Sequence, residues 1–291
     1  MNVELVLGTA NFGAQYGISN RNQLLQEEEI ARIVRLAETS GSIQFDTAPA
    51  YGNAETQLGR TLLNPKRARI FTKIDGENSS SASKMLQSVN CSLLRTKGER
   101  FSGVYLHDER ALESSNAREI VNGVRELLHS GITERVGISV YSIDNALRAK
   151  DICPELSLFQ VSENICDRRL YKVKEMNKLA QEGNDFYVRS IFLQGLLLME
   201  TNDLPKEFSK VTPILKSLTV YANSLNISKE ALCLAYARQI SWAKGIVVGV
   251  ASLSQLEQLF APRVELPEDF EESIATLDLE FLDPRKWPDL K

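Results

Sequence analysis

Residues Ser42 to Arg60 read SIQFDTAPAYGNAETQLGR, and the rest of the chain is organised around them. An apolar run, Ile43 to Phe45, delivers Asp46. A Thr-Ala-Pro-Ala turn follows, then Tyr51-Gly52, then Asn53 opening a helical pattern. A buried strand that ends in a carboxylate and turns into a loop tyrosine brings two proton-handling groups to one pocket. Taken alone, the fragment reads equally well as a strand ending in a helix-capping Asp, with Tyr51 as a packed loop aromatic. The next two apolar runs shift that balance. Arg69 to Lys73 is RIFTK and Gly103 to His107 is GVYLH. Each is a short β-type run whose last residue ionises, so three successive strands end in Asp46, Lys73 and His107.

Working outward, the same theme repeats: a short apolar run, a loop, an amphipathic stretch. The runs predicted as strands are Glu4–Gly8, Ile43–Asp46, Arg69–Lys73, Gly103–His107, Arg135–Ser139, Leu158–Val161, Phe186–Ser190 and Gly245–Gly249. Helical text between strands implies parallel neighbours, which need crossovers. Eight such units in 291 residues predict a closed single-domain barrel, since barrels of this kind take about 250 residues. An open doubly wound sheet would place GxGxxG after the first strand, and Gly8-Thr9-Ala10-Asn11 is not that.

The helices follow the 3.6-residue period. Ile30, Ile33, Val34 and Ala37 share a face behind Glu27, Glu28 and Glu29, with Gly41 as the stop. Ile120, Val121, Val124, Leu127 and Leu128 form another, closed by Gly131, with His129 in its last turn as a surface residue rather than a catalytic one. Leu232, Ala235, Tyr236 and Gln239 belong to the helix before the eighth strand. Ile191 to Ser228 is the longest connection and holds Pro205, Pro213 and a helical piece of its own, the kind of segment that forms lids or binding loops. The tail, residues 267–291, is predicted to dock on the barrel, with one helix over Glu268–Leu277 and a polar end with Pro284, Trp287 and Pro288.

A net charge of −4, with acids and bases interspersed, gives no pull toward nucleic acid. No stretch approaches the roughly 18 apolar residues of a membrane span, and no signal peptide is expected. Cys91, Cys153, Cys166 and Cys233 are widely spaced, with no CxxC and no cysteine–histidine cluster, so free thiols in a reducing cytoplasm are expected and no metal site.

The order Asp46, Tyr51, Lys73, His107, set in FDTAxxYG, a strand-end TK and LHD, resembles the aldo-keto reductase superfamily. The resemblance covers nearly the whole chain. It implies a (β/α)8 TIM barrel whose catalytic tetrad is these four residues at the ends of strands two, three and four. It also implies NAD(P)(H)-dependent reduction of an aldehyde or ketone, with Tyr51 as general acid. A lysine ammonium about 4 Å from a phenol favours the phenolate by up to about 4 kcal/mol at an effective dielectric of about 20. Asp46 would hold Lys73 charged, and His107 would position the carbonyl oxygen. The plain alternative is a salt-bridged Asp–Lys pair beneath a packed tyrosine.

The family's cofactor groove maps onto Ser139, Gln160, Arg189, Ser190, Phe192, Gly195, Gly249, Ser252, Gln255 and Gln258. This chain departs from the family pattern at several of these places. Val140 replaces the Asn after Ser139, Glu163 stands where a tyrosine is usual beside Asn164, and Arg189 replaces an aromatic that stacks on the nicotinamide. No cation occurs between Val250 and Leu253 to hold a 2′-phosphate, with Lys244 and Arg263 flanking the region. The expected cofactor is NADP(H), with NAD(H) possible and NADPH favoured modestly, helped by Ser252 as a helix cap. Asn11, Phe12, Tyr16, Ala50, Asp108 and Glu163 are the expected substrate-facing residues beside Tyr51, and their polarity suggests a sugar or other hydroxylated small-molecule carbonyl. Two other functions stay open at this point: a cofactor-binding protein with little turnover, and a sugar-modifying enzyme using the cofactor for transient oxidation. Substrate, reaction direction and oligomeric state are not specified by these residues.

Overall fold

The computed structural model describes residues 3–18, 24–40, 44–260, 263–267 and 269–287. Eight strands, β1 Glu4–Gly8, β2 Gln44–Asp46, β3 Ile70–Ile74, β4 Gly103–Leu106, β5 Val136–Val140, β6 Leu158–Ser162, β7 Asp185–Arg189 and β8 Ala243–Gly249, pair in sequence order. All pairings are parallel, and β8 returns to β1 to close the barrel, with Gly8 opposite Gly249. The expected strand ends shift by one or two residues: Lys73 falls inside β3, while His107 and Ser190 lie one residue past β4 and β7. Ile43 and Gly41 lie outside the described residues.

The helices are α1 Ala10–Gly13, α2 Glu27–Thr39, α3 Ala54–Thr61, α4 Ala82–Thr96, α5 Ala117–His129, α6 Ile143–Ile152, α7 Lys174–Gln181, α8 Thr212–Ser224, α9 Lys229–Arg238, α10 Leu253–Leu259, α11 Phe270–Ser273 and α12 Leu279–Leu282. Ile30, Ile33, Val34 and Ala37 of α2 are all buried, as are Ile120, Val124 and Leu127 of α5. Ser81, Ser142, Ser228 and Ser252 each cap a helix by accepting a backbone N–H, satisfying a donor the first turn leaves free. Among the described residues no helix is long and apolar enough to cross a membrane.

Strand periodicity sorts the barrel interior into layers, because every second side chain points inward. Val6, Phe71, Tyr105, Leu158 and Tyr187 pack together inside, with Val247 against them. Two residues further along the same strands stand Gly8, Lys73, His107, Gln160, Arg189 and Gly249. Asp46 stands above Gln44 in the same way. The apolar layer therefore carries a polar one at the C-terminal ends of the strands, where barrels of this type place their chemistry.

The tail differs from the single helix expected over Glu268–Leu277, whose first residue lies outside the described residues along with Pro288. Phe270, Ile274, Leu277 and Phe281 are buried with near-helical spacing, but the chain is extended at Ile274. There the Ile274 carbonyl accepts from Arg168 at 2.8 Å and Leu277 N–H donates to Cys166 O at 2.9 Å. Bonds to the loop after β6 replace helical ones, leaving two single turns, α11 and α12. Further on, the Trp287 ring meets Phe208 of the long 191–228 connection edge-on at 4.9 Å.

Candidate active site

Asp46 and Lys73 are inward residues of adjacent strands, so their side chains meet under the mouth of the barrel. Lys73 Nζ donates to Asp46 Oδ2 at 2.5 Å and to Thr47 O at 3.2 Å. Gln160 Nε2 donates to Asp46 Oδ1 at 2.8 Å, so both carboxylate oxygens are held. Lys73 is 1% exposed. Burial pulls its pKa down, but the charge of Asp46 and the neighbouring Tyr51 outweigh that and leave it raised. The ammonium is thus a fixed positive charge, 4.9 Å from the centroid of the Tyr51 ring.

Tyr51 reaches this place through a backbone-to-backbone contact. A Cβ on Gly13 would run into Tyr51 O and Ala54 N, and a Cβ on Gly52, which has φ +63°, would run into Gly13 O. Only glycine at both positions lets α1 press the tyrosine loop against the end of β2. The His107 ring stands edge-on to Tyr51, with centroids 6.2 Å apart. Burial first, and then the Lys73 charge, lower the His107 pKa to about 4. The imidazole is therefore neutral near pH 7, able to donate one hydrogen bond and to accept another.

A cleft of about 1350 Å³, measured out to open solvent, opens above these groups. Tyr51 and Asp46 line one end. From there the cleft passes over Gly8 and Gly249, then along the loop after β7 to α9 and α10. Of the residues expected to bind a cofactor, Gln160, Arg189, Ser190, Phe192, Gly195, Gly249, Gln255 and Gln258 line it. Asn11 and Tyr16 line it too, with Asn11 Nδ2 donating to Val250 O at 3.1 Å.

Several other expected residues do not line the cleft. Ser139 is buried on β5 opposite Gln160, in the inward polar layer beneath the cleft. Ser252 does not line it either, because its Oγ is turned back to accept from Gln255 N–H at 3.2 Å. Phe12 is 2% exposed, packed in the core between helix and sheet. Ala50 is exposed away from the cleft, and Asp108 accepts from Arg110 N–H in its own turn. Glu163 is fully buried behind the sheet, accepting from Tyr236 Oη at 2.6 Å and Leu170 N–H at 3.1 Å. Asn164 is likewise internal, accepting from Cys166 N–H at 2.9 Å.

The loop after β7 departs from ordinary backbone: Ser190, Leu193 and Gln194 all have positive φ. Strain gathered along one wall of a cleft marks a segment shaped for a ligand. Ile18 N–H donates to Gln194 O at 2.9 Å, so this wall is tied across to the loop after α1.

Arg189 forms no ion pair among the described residues. Its guanidinium stacks on the Tyr141 ring, 4.3 Å from the centroid, and Arg285 of the tail covers the same ring at 4.0 Å. Glu109 anchors this corner by accepting from Tyr141 N–H at 3.0 Å and from Arg285 at 3.3 Å. Tyr16 is 43% exposed as a residue, yet its hydroxyl lies among Tyr51, Tyr141 and Arg189. Burial, then Tyr51, push its pKa up to about 12. Sequence reasoning missed Tyr141, Arg285, Gln194 and Glu230 because strand and helix patterns do not reveal which loop side chains turn inward. No cluster of His, Cys, Asp or Glu able to hold a metal ion occurs among the described residues.

Residues 4–278 match the profile of the Aldo/keto reductase family. The chain belongs to the aldo/keto reductase family. D-arabinose 1-dehydrogenase of Saccharomyces cerevisiae is 24% identical over 274 residues, covering 87% of this chain and 80% of the yeast protein. A thermostable aldo-keto reductase crystallised with the inhibitor epalrestat superposes with a TM-score of 0.70 at 18% identity, covering 92% of each chain. A Pseudomonas aeruginosa protein described as an aldo-keto reductase gives 0.65 at 22% identity, covering 89% of each. These two structures share the barrel. The chain is thus an aldo/keto reductase family oxidoreductase with the closed parallel barrel of its relatives.

Proposed function

We propose that this protein reduces an aldehyde or ketone to an alcohol with a nicotinamide dinucleotide, Tyr51 acting as the general acid. One observation carries the reading: Lys73, fixed by Asp46 at 2.5 Å and shut away from water, presents its charge to Tyr51 at the end of an open cleft. A buried salt bridge is weak evidence for stability and is better explained as a positioned charge. The cleft suits a dinucleotide. Its lining runs from Tyr51 and Asp46 to residues of α9 and α10, and the inward-facing positions of β1 and β8 are Gly8 and Gly249, so no side chain rises from its floor there. Bound there, the dinucleotide supplies a hydride to the carbonyl carbon.

The residues then divide the work. Tyr51 gives its proton to the carbonyl oxygen, and the Lys73 ammonium stabilises the phenolate left behind. Neutral His107 donates to the same oxygen and fixes its direction. Asp46, held by Gln160, keeps Lys73 charged and aimed. Arg189, Ser190, Phe192 and Gly195 would hold a dinucleotide along one wall, with Gln255 and Gln258 available to its adenosine end. Asn11 and Tyr16 face the open mouth, where a hydroxylated substrate finds hydrogen-bonding partners. An open-chain sugar aldehyde is the substrate class that fits, in keeping with the yeast relative's name. The unpaired cysteines, three of them buried, suit work in a reducing cytoplasm.

The test is oxidation of NADH and NADPH by the purified protein, followed against a panel of sugar aldehydes and simple aromatic aldehydes. Turnover of at least one aldehyde, lost in Tyr51→Phe, is expected. Tight dinucleotide binding with no turnover of any carbonyl would overturn the reading.

A further inference from the structure

Resting on the dinucleotide reading above, we infer that the cleft is built for NAD(H) rather than NADP(H), with Glu230 making the choice. The end of the cleft remote from Tyr51 is lined by Glu230, Gln255, Gln258 and Leu259. Glu230 is the second residue of α9, half-buried, and accepts no hydrogen bond and forms no ion pair among the described residues. Its neighbour Lys229 does not neutralise it: Lys229 Nζ is bound to Met199 O at 2.8 Å and to Glu200 at 2.9 Å.

A 2′-phosphate needs cations, and no Lys or Arg among the described residues lines this end of the cleft; its polar lining is Glu230 with the side-chain amides of Gln255 and Gln258, and Arg263 lies beside Arg238 outside it. The one Lys or Arg lining the cleft among the described residues is Arg189, at the Tyr51 end. Arg238 is engaged with Leu259 O at 3.1 Å and does not line the cleft. Lys244 lies five residues before Gly249 on β8, about 16 Å away along the strand. Three backbone donors of the turn after β8 are also taken. Ala251 N–H donates to Gln255 Oε1 at 2.7 Å, Gln255 N–H to Ser252 Oγ at 3.2 Å, and Leu253 N–H to Glu29 Oε1 at 2.8 Å. The last of these caps the first turn of α10 with the Glu29 carboxylate, which is itself paired with Arg32 at 3.1 Å.

A ribose 2′-hydroxyl has the opposite requirement: it is a donor that needs an acceptor. Glu230 is that acceptor, and an acid on the ribose hydroxyls is a recurrent device for selecting the unphosphorylated dinucleotide. A phosphate there would lose its water to face the Glu230 carboxylate. This reverses the modest preference for NADPH expected from the strand-eight turn alone.

The experiment measures dissociation constants of NADH and NADPH by fluorescence titration of the intact chain, with no substrate present. NADH is expected to bind about 10- to 100-fold more tightly than NADPH, the size of one charge-assisted hydrogen bond. In Glu230→Gln that ratio should fall at least about fivefold, and in Glu230→Arg it should invert. Should Glu230→Arg fold poorly, competition by 5′-AMP against 2′-AMP on the unmodified protein reads the same selectivity, with 5′-AMP the better competitor. Equal or tighter binding of NADPH by the unmodified protein, or an unchanged ratio in Glu230→Gln, overturns the inference and leaves the dinucleotide reading standing. Failure of both dinucleotides to bind overturns the two together.

Discussion

Lys73 Nζ lies 2.5 Å from Asp46 Oδ2, with the two side chains 1% and 4% exposed. Removing one member of so buried a pair strands the other, at a cost of about 3–5 kcal/mol. Lys73→Met should therefore lower unfolding free energy by an amount in that range, less what Gln160 still supplies to Asp46. Adding Asp46→Asn should restore part of the stability but none of the turnover. Denaturant titration and steady-state kinetics on both variants check this. A double variant that regains both properties would show that the pair serves packing alone.

The His107 imidazole has a folded pKa of about 4 against 6.5 when free. Between those values the unfolded chain binds the extra proton, so the contribution to stability is complete above pH 6.5 and is lost as pH falls toward 4. His107→Gln keeps a hydrogen-bond donor but cannot titrate. Its unfolding free energy should fall less steeply than the parent's across that window, measured by urea titration at several pH values. Parallel slopes would contradict the burial of a neutral imidazole.

Glu163 shows the reverse sign. Burial raises its carboxyl from 4.5 to about 8, so the folded state holds the proton and stability is lost as pH rises through that interval. Glu163→Gln keeps an acceptor for Leu170 N–H and an amide for Tyr236. It should be more stable than the parent at pH 8 and show little advantage at pH 4.5, the two ends of that interval. A constant difference between the proteins across the interval would rule out this titration.

Arg189 places a cation at the end of β7 beside Tyr141, without a carboxylate partner among the described residues. A positive charge near the nicotinamide disfavours its oxidised, cationic ring relative to the neutral reduced one. Arg189→Tyr should narrow the ratio of oxidised to reduced dissociation constants by about 3- to 10-fold, the scale of a partly screened charge pair. Titration of both redox forms against both proteins checks this, and an unchanged ratio counts against it.

What could be read from the chain beforehand follows from which side chains obey a simple period. The strand ends at Asp46, Lys73 and His107 were legible because a buried parallel strand is a short apolar run, and an ionisable residue closing it is conspicuous. The same alternation puts Gln160 and Arg189 in the polar layer. Phe12 and Glu163 were misplaced because the short helix α1 and the turn after β6 point one side chain into the cleft and the next into the core. Glu230 is an acid in the first turn of a helix, a common place for one, and no sequence pattern singles it out. Only the closed barrel shows that this turn borders the cleft. The tail helix failed for a related reason: buried residues at helical spacing were served instead by extended backbone bonded to Cys166 and Arg168.

The central claim is that Tyr51 delivers the proton, and Tyr51→Phe tests it most directly. The ring remains, so the contact with His107 and the packing of Gly13 on Gly52 should survive. Dinucleotide affinity should stay within about twofold, while turnover of a reducible aldehyde falls by about 100-fold or more, the usual size of a lost general acid. Turnover within a factor of about two of the parent would contradict the account.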